Sequence, residues 1–303
     1  MILTDIRRGL GRFRWHENPS VPISGICSIR SLLIRCSLFS LFILLTGSAR
    51  ADAEVMYLAN AGLMITDGES KILFDPLFRN NFGQYQLLPL EMEAALMAGV
   101  EPFAGVDAVF VSHFHGDHFS PQDVLNYLRR NEDVLLYAPM QATEALYHFT
   151  NDADSAILGR VTGLDIDYGD KAMSLSVGAL AIEAFHIPHS GWPERKPEVQ
   201  NVAFRVTLND SVTVLHMGDA DARDAHFAND AELWAARQTD AAFPPYWFFT
   251  SDKGGRVLAN RIRPAMAVGV HVPQVLPPEY SAGLDQRDLF RTPGETRRIT
   301  IKD

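Results

Sequence analysis

The densest group of potential metal ligands in this 303-residue chain lies in six consecutive residues, His113-Phe114-His115-Gly116-Asp117-His118. Side chains two residues apart in an extended segment point to the same side, so His113 and His115 can face one cation. Asp117 and His118 then turn towards a second position. Imidazole and carboxylate together suit zinc, with manganese and iron as alternatives. The motif therefore predicts two divalent metal ions that polarise a substrate and activate water.

Two regular elements are predicted to flank this motif. Residues 106–112 are rich in β-branched and aromatic side chains and follow Gly105, a pattern that is typical of a buried strand. After the motif, Ser120 and Pro121 form a helix start, and an apolar-periodic run continues to Arg130. The motif is thus expected on a loop between a strand and a helix.

Three later segments offer further ligands, each at the end of a strand-like run. They contain His186 and His189, then Asp219, and finally His271. Loops held by a rigid scaffold often carry functional groups, so all three segments are candidates for the same site. His216, which lies on the apolar run before Asp219, is interpreted as a core residue or a support for a ligand.

The order of these motifs resembles that of the metallo-β-lactamase superfamily over residues 55–273. The resemblance implies an α/β fold, a four-layer αββα sandwich of the metallo-β-lactamase type, with the metals at one edge. It also favours His189 over His186, because the ligand in similar proteins precedes a small polar residue such as Ser190. The implied ligands of the first metal are His113, His115 and His189, those of the second are Asp117, His118 and His271, and Asp219 bridges both.

Within the superfamily, the motif order and the Gly218-Asp219 pair are most similar to the branch of L-ascorbate-6-phosphate lactonases and N-acyl-phosphatidylethanolamine phospholipase D. This resemblance implies a hydrolase in which hydroxide between the metals attacks a phosphodiester, lactone or other ester. Asp117 is the expected catalytic residue, and the expected substrate is a small-molecule or lipid-like ester. Two alternatives stay open: a β-lactam or thioester hydrolase, and a metal- or ligand-binding protein without turnover.

The first 51 residues have the pattern of a signal peptide. Arginines precede an apolar stretch at residues 37–46, and Ala49-Arg50-Ala51 follows it. The apolar stretch is too short for a comfortable membrane span. We therefore predict a signal peptide at 1–51, a hydrolase domain at 52–303, and an exported, periplasmic or secreted protein without a stable membrane anchor.

Composition narrows the classes of partner and ligand. Both cysteines, Cys27 and Cys36, lie in the predicted leader, so residues 52–303 have neither a disulfide nor a cysteine metal ligand. The same residues contain 20 Lys and Arg against 35 Asp and Glu, a net charge of about −15. Such a surface disfavours nucleic acid as a partner. The oligomeric state is left open.

Several other elements are predicted from local pattern. Strands are expected at residues 55–65 and 71–74, and at 202–208 and 211–217 on either side of an Asn209-Asp210 turn. Residues 87–98 are expected to form a helix, either a lid over the site or a surface helix. The aromatic run at residues 243–249 is interpreted as either a substrate wall or a buried strand and turn, and the second is favoured.

Overall fold

A computed structural model describes residues 52–276, 278, 280 and 284–301. The predicted signal peptide, residues 1–51, lies outside these described residues, so both it and the export of the chain stay predictions. No helix in the described ranges combines the length and the apolar character that crossing a bilayer needs.

The described part of the chain contains thirteen strands and eight α-helices. The strands are β1 (Ala53–Ala59), β2 (Gly62–Thr66), β3 (Lys71–Phe74), β4 (Ala108–Phe110), β5 (Leu135–Pro139), β6 (Val161–Leu164), β7 (Met173–Val177), β8 (Leu180–His186), β9 (Val202–Leu208), β10 (Val212–His216), β11 (Ala241–Phe243), β12 (Met266–Ala267) and β13 (Thr296–Ile299). The helices are α1 (Leu90–Ala98), α2 (Pro121–Arg130), α3 (Met140–Tyr147), α4 (Ser155–Leu158), α5 (Ala225–Ala228), α6 (Ala231–Ala236), α7 (Trp247–Thr250) and α8 (Asp252–Val257).

The strands form two mixed sheets. The first has the order β13-β1-β2-β3-β4-β5-β6, antiparallel from β13 to β3 and parallel from β3 to β6. The second has the order β12-β11-β10-β9-β8-β7, parallel from β12 to β10 and antiparallel beyond it. Parallel neighbours need a crossover, and α2 supplies the one between β4 and β5.

The main core lies between the two sheets. Phe74 and Phe110 of the first sheet belong to one buried cluster with Phe204, Val206 and Phe243 of the second. Alternate residues of each strand point to this cluster, because successive side chains in a strand face opposite sides. Burying a side chain of this size stabilises the fold by about 1.5–3 kcal/mol.

The outer faces of both sheets are covered by helices. Leu73 and Val109 of the first sheet share a cluster with Leu125 of α2. Leu215 of the second sheet shares another with Trp234 of α6, in a layer that also includes α5, α7 and α8. Helices therefore lie outside each sheet, and the predicted αββα sandwich is confirmed.

Local predictions succeed where the turn chemistry is explicit. Helix α2 and strand β9 have the predicted bounds, and Asn209 and Asp210 both adopt positive φ, 48° and 51°, as a tight hairpin turn requires. The single strand predicted at residues 55–65 is wrong, since β1 and β2 are two strands joined by a turn at Asn60 (φ 49°). Asn60 and Gly62, the first residue of β2, are the turn residues there, but apolar residues lie on both sides of them, so the run reads as continuous.

The helix predicted before the metal motif belongs to the outer layer. Helix α1 ends at Ala98, and its buried Leu96 packs in the same cluster as the apolar face of α2. The lid interpretation is therefore wrong, and the surface-helix alternative describes α1.

Candidate metal centre

Four loops at one edge of the sandwich bring the predicted ligands together. One follows β4, and the other three follow β8, β10 and β12. All seven predicted ligands lie in this cluster: His113, His115, Asp117, His118, His189, Asp219 and His271. Six of them are buried and His115 is half-buried.

The first group of ligands consists of three histidines. Ligand atoms of His113, His115 and His189 lie within 4.8 Å of one another. The Nε2 atom of His113 is 3.0 Å from Nδ1 of His115, and the His189 ring is 4.9 Å from the His115 ring and 5.1 Å from that of His113. Three imidazoles at this separation can ligate one cation.

Asp219 faces both groups of ligands. Its Oδ2 atom is 3.2 Å from Nε2 of His189, in the first group. Its Oδ1 atom is 3.2 Å from Nε2 of His118 and 3.1 Å from Nε2 of His271. Asp117 completes the second group, with its Oδ2 atom 3.2 Å from the same His271 nitrogen. One carboxylate is thus shared between two clusters of donors.

Two unpartnered buried atoms test whether the donor set fits a cation. Nε2 of His118 and Oδ1 of Asp219 are buried, and neither has a hydrogen-bond partner among the described residues, although they lie 3.2 Å apart. A buried polar atom without a partner costs about 1–3 kcal/mol. A metal ion between nitrogen and oxygen donors satisfies both atoms, so the residues present fit the divalent metals that the sequence predicts.

The two ambiguous histidines lie outside the cluster. His186 is half-buried and donates from Nδ1 to the Ile166 carbonyl oxygen over 2.8 Å. His216 is buried, stacks on Phe74 with the ring centres 4.9 Å apart, and donates from Nε2 to the Ala61 carbonyl oxygen. The geometry therefore places His189, rather than His186, among the candidate ligands and gives His216 a place in the core.

Asp75 supports the cluster, and sequence reasoning missed this role. It directly follows β3, has a positive φ of 41° and is fully buried. One of its oxygens accepts hydrogen bonds from His118 Nδ1 (2.8 Å) and Ser112 Oγ (2.6 Å), and the other accepts from the Ser112 amide. A proton held on Nδ1 leaves Nε2 of His118 free for a metal. The available signal in the sequence is an acid directly after a strand-like run.

Asn60 fixes the second group from the opposite side. It lies in the unpredicted turn between β1 and β2, fully buried. Its side-chain amide donates to the Asp117 carbonyl oxygen (2.8 Å), and its own carbonyl oxygen accepts from the His271 amide (2.8 Å). One turn thus positions two ligand loops that are 154 residues apart in the chain.

Asp219 is held by a tight backbone approach. The Asp219 amide donates a hydrogen bond to Oδ1 of Asn201 (2.9 Å). The Nδ2 atom of the same asparagine donates to the carbonyl oxygens of Ile187 and Met217. Gly218 has φ 54°, and a Cβ there would lie 2.4 Å from the Asn201 side chain. Only glycine fits this position, which explains the Gly218-Asp219 pair.

Protonation differs between the histidines of the two groups. Burial lowers the pKa of His113 well below its usual value, and burial together with the nearby Lys196 charge lowers the pKa of His115 to about 4. Burial opposes charge on His118 as well, yet Asp219 and Asp117 raise its pKa well above the usual value. His113 and His115 are therefore neutral and able to bind a cation, whereas a metal ion that binds His118 must displace a proton.

The Asp219 carboxylate is ionised. Burial alone would raise the pKa of Asp219, but the neighbouring His271 and His118 hold it well below its ordinary range. Asp117 shows the same balance: burial raises its pKa, His118 and His271 lower it, and the net direction is down. Two ionised acids suit a site for divalent cations.

Aromatic residues border the second group. The Tyr85 ring meets the His271 ring edge-on at 4.2 Å, and Trp247 lies 5.4 Å from the same imidazole. Phe243 and Phe248, from the same aromatic run as Trp247, are fully buried. The predicted buried strand and turn is therefore wrong for the second half of the run: Phe243 ends β11, whereas Trp247 and Phe248 belong to helix α7, and Trp247 adds one aromatic neighbour to the site.

Comparison with known proteins identifies the family. The family model described as a beta-lactamase superfamily domain matches residues 70–271, a range that includes all seven candidate ligands. The chain therefore belongs to this family, and the predicted resemblance is confirmed. A UPF0173 metal-dependent hydrolase of Pyrococcus furiosus is 25% identical over 255 residues, which cover 82% of this chain and 95% of the relative.

Solved structures support the same fold. A metallo hydrolase of the archaeon Ignicoccus hospitalis superposes with a TM-score of 0.56 at 17% identity, over 83% of this chain and 100% of that one. An isothiocyanate hydrolase from Delia radicum gut bacteria gives 0.53 at 17% identity, over 80% of this chain and 98% of that one. Family and site together class the chain as a metal-dependent hydrolase of the superfamily.

Proposed function

We propose that this hydrolase uses two divalent metal ions, in the first place zinc, to cleave a phosphodiester, lactone or other ester of a small or lipid-like molecule. The observation that carries the proposal is the position of Asp219, whose two carboxylate oxygens face separate groups of histidines at distances of 3.1–3.2 Å. Such an arrangement holds two cations close together, as metal-assisted hydrolysis requires.

The bound metals would supply an activated water and would polarise the bond to be cleaved. The residues of this chain position that chemistry. Asp117 contributes a carboxylate beside His271, and Asp75 keeps the Nδ1 proton on His118. Tyr85 and Trp247 cover one side of the centre and limit the access of bulk water there.

Two features favour an ester over other substrates of the superfamily. Residues 52–303 contain no cysteine, so the ligand set differs from that of β-lactamases that use a cysteine ligand. The Gly218-Asp219 pair supplies an aspartate bridge, as in the lactonase and phospholipase branch that the sequence resembles. The family assignment is compatible with a lactone and a phosphodiester alike.

A metal and substrate screen tests the proposal. The purified chain is loaded with zinc, manganese or iron, its bound metal is counted, and hydrolysis is followed on a phosphodiester, a lactone, a thioester and a β-lactam. We expect about two equivalents of metal and turnover of the phosphodiester or the lactone. The Asp117→Ala variant should lose turnover, whereas Asp107→Ala, which removes an acid outside the described metal cluster, should not.

Other outcomes separate the alternatives. Fewer than about one equivalent of metal after careful loading would contradict the site itself. Turnover of only the thioester or the β-lactam would replace the proposed substrate class. Full metal content without hydrolysis of any of the four substrates would favour a binding protein.

We further propose that the chain is exported. The support is the arginine-rich start, the short apolar stretch at residues 37–46 and the Ala49-Arg50-Ala51 sequence. Expression of the whole chain in a bacterium, followed by fractionation and N-terminal sequencing, tests this. We expect a periplasmic protein that begins near Ala51, and an uncleaved cytoplasmic product would overturn the proposal.

A further inference from the structure

One cationic side chain reaches into the metal centre. The Nζ atom of Lys196 lies 3.4 Å from Nε2 of His189, although the residue as a whole is exposed. His189 belongs to the first group of ligands, so the ammonium group lies beside that group. A cationic side chain beside a candidate cation site, in an acidic chain of net charge −10, needs a physical explanation.

The backbone of Lys196 is fixed in an unusual conformation. Its φ is 54°, in the left-handed region that residues other than glycine rarely adopt. Two turns hold this conformation: the Arg195 amide donates to the Gly191 carbonyl oxygen (2.9 Å), and the Val199 amide donates to that of Lys196 (3.2 Å). Val199 is buried and anchors the loop. Strained backbone of this kind clusters at functional sites because the surrounding structure must stabilise it.

Lys196 also lacks the usual carboxylate partner. In the described ranges it forms no ion pair with an acid, whereas Arg79, Arg129 and Arg297 all do. Within the part of the chain that the structure describes, its side chain makes one polar contact, with the His189 nitrogen that faces Asp219. That nitrogen cannot both accept a hydrogen bond from Lys196 and ligate a metal. A metal ion held by His189 would therefore free the ammonium group of Lys196, which would remain next to this ligand.

We propose that Lys196 binds an oxyanion of the substrate beside the first metal position, so that the enzyme selects esters that carry a negative charge at or next to the bond cleaved. This inference rests on the proposed hydrolase function and specifies its substrate class. A phosphodiester meets the requirement through its own phosphate, and a lactone or carboxylic ester meets it through a neighbouring carboxylate or phosphate.

Anion binding tests the proposal without relying on turnover. The zinc-loaded chain is titrated calorimetrically with inorganic phosphate and, separately, with acetate, to distinguish the two kinds of oxyanion. Lys196→Met should weaken the binding of the preferred anion about 10- to 100-fold, the usual effect of losing a hydrogen bond to a charged group. Lys196→Arg should retain most of the affinity for that anion. The control is Lys253→Met, which removes an exposed lysine on α8 and should bind like the parent chain.

Paired substrates give a second readout. We expect Lys196→Met to raise KM for an anionic phosphodiester by a similar factor and to leave KM for a neutral ester unchanged. The zinc content and the thermal unfolding midpoint of each variant establish that the metal centre and the fold are intact.

The outcomes distinguish this inference from the proposed function. If the parent chain binds neither anion, or if Lys196→Met binds both as tightly as the parent, the inference is wrong even if hydrolysis is observed. An equal rise in KM for the charged and the neutral ester in Lys196→Met would also overturn the inference. If anion binding depends on Lys196 while no substrate is hydrolysed, the proposed function fails and the anion site remains.

Discussion

The two groups of ligands at the edge of the sandwich are supported differently. In the second group, Asp75 accepts a hydrogen bond from Nδ1 of His118. Asn60 forms hydrogen bonds with the backbones of both Asp117 and His271. These supporting residues are fully buried. A histidine whose non-ligating nitrogen is hydrogen-bonded to a buried carboxylate keeps its ring orientation in the absence of metal.

The first group is more open. His115 is half-buried, and the far nitrogen of His189 donates only to the neighbouring Ser190 carbonyl oxygen (3.0 Å). An exposed residue, Lys196, reaches its metal-facing side. The two positions thus differ in their surroundings: buried residues of the core support the second, whereas the first includes the half-buried His115 and lies next to an exposed lysine.

The largest effect is expected from the residue that joins the two groups. Asp219→Ala removes the carboxylate that faces both, so metal content should fall from about two equivalents to less than one and kcat/KM by about 10³-fold or more. Metal analysis and kinetics on the same preparation measure both values. Asp221→Ala is the nearest matched control, and comparable losses there would show that the effect comes from the loop and not from the shared ligand.

The two groups should also differ in their response to pH. His118 has a raised pKa, so it holds a proton that a second metal must displace, whereas His115, with a pKa of about 4, holds none at pH 5.5. Each displaced proton weakens binding about tenfold per unit of falling pH. Lowering the pH from about 7.5 to 5.5 should therefore reduce the affinity for the second metal ion by about 100-fold. The affinity for the first metal ion should fall much less.

Stepwise competition with a chelator, at each pH, resolves the two affinities. The loss of both metals in one step over this range would contradict the distinction between the groups. If the first metal ion is lost before the second as the pH falls, the predicted order of the two affinities is reversed.

A smaller effect is expected from the support behind the second group. Asp75→Asn keeps the size of the side chain but cannot accept hydrogen bonds at both carboxyl positions, so the affinity for the second metal should fall about 10- to 100-fold. The first metal should be less affected, because Asp75 reaches His113 only through Ser112, whose Oγ lies 3.0 Å from His113 Nδ1. Equal weakening of both metals would show that Asp75 supports the whole cluster equally.

The candidate ligands could be predicted from the sequence, but their supports could not. His113, His115, Asp117 and His118 are adjacent in the chain and end a recognisable strand, so the local pattern reveals them. Asp75 and Asn60 carry no such pattern, because their roles come from contacts 43 and 57 residues away in sequence. Supports of this kind emerge only when the sheets are assembled.

The same limit explains the errors in the fold. Explicit turn residues, as at Asn209 and Asp210, allow a hairpin to be located, whereas the turn at Asn60 interrupts an apolar run that local pattern interprets as one strand. Helix α1 carries apolar residues on all sides, a pattern that suits either a lid or an outer layer, and the burial of Leu96 in the cluster that covers the first sheet decides between them.

The smallest effect is expected from the histidine that competes with His189 in the sequence. His186 donates to the Ile166 carbonyl oxygen and lies outside the ligand cluster, so His186→Ala should cost about 1 kcal/mol of stability and leave metal content and kcat/KM unchanged. His189→Ala, three residues later, should lose the first metal. Urea unfolding and metal analysis of the two variants make the comparison, since both remove one imidazole from the same loop region. If His186→Ala loses metal, His186 rather than His189 is the third ligand of the first group. The loop after β8 would then have to rearrange when metal binds.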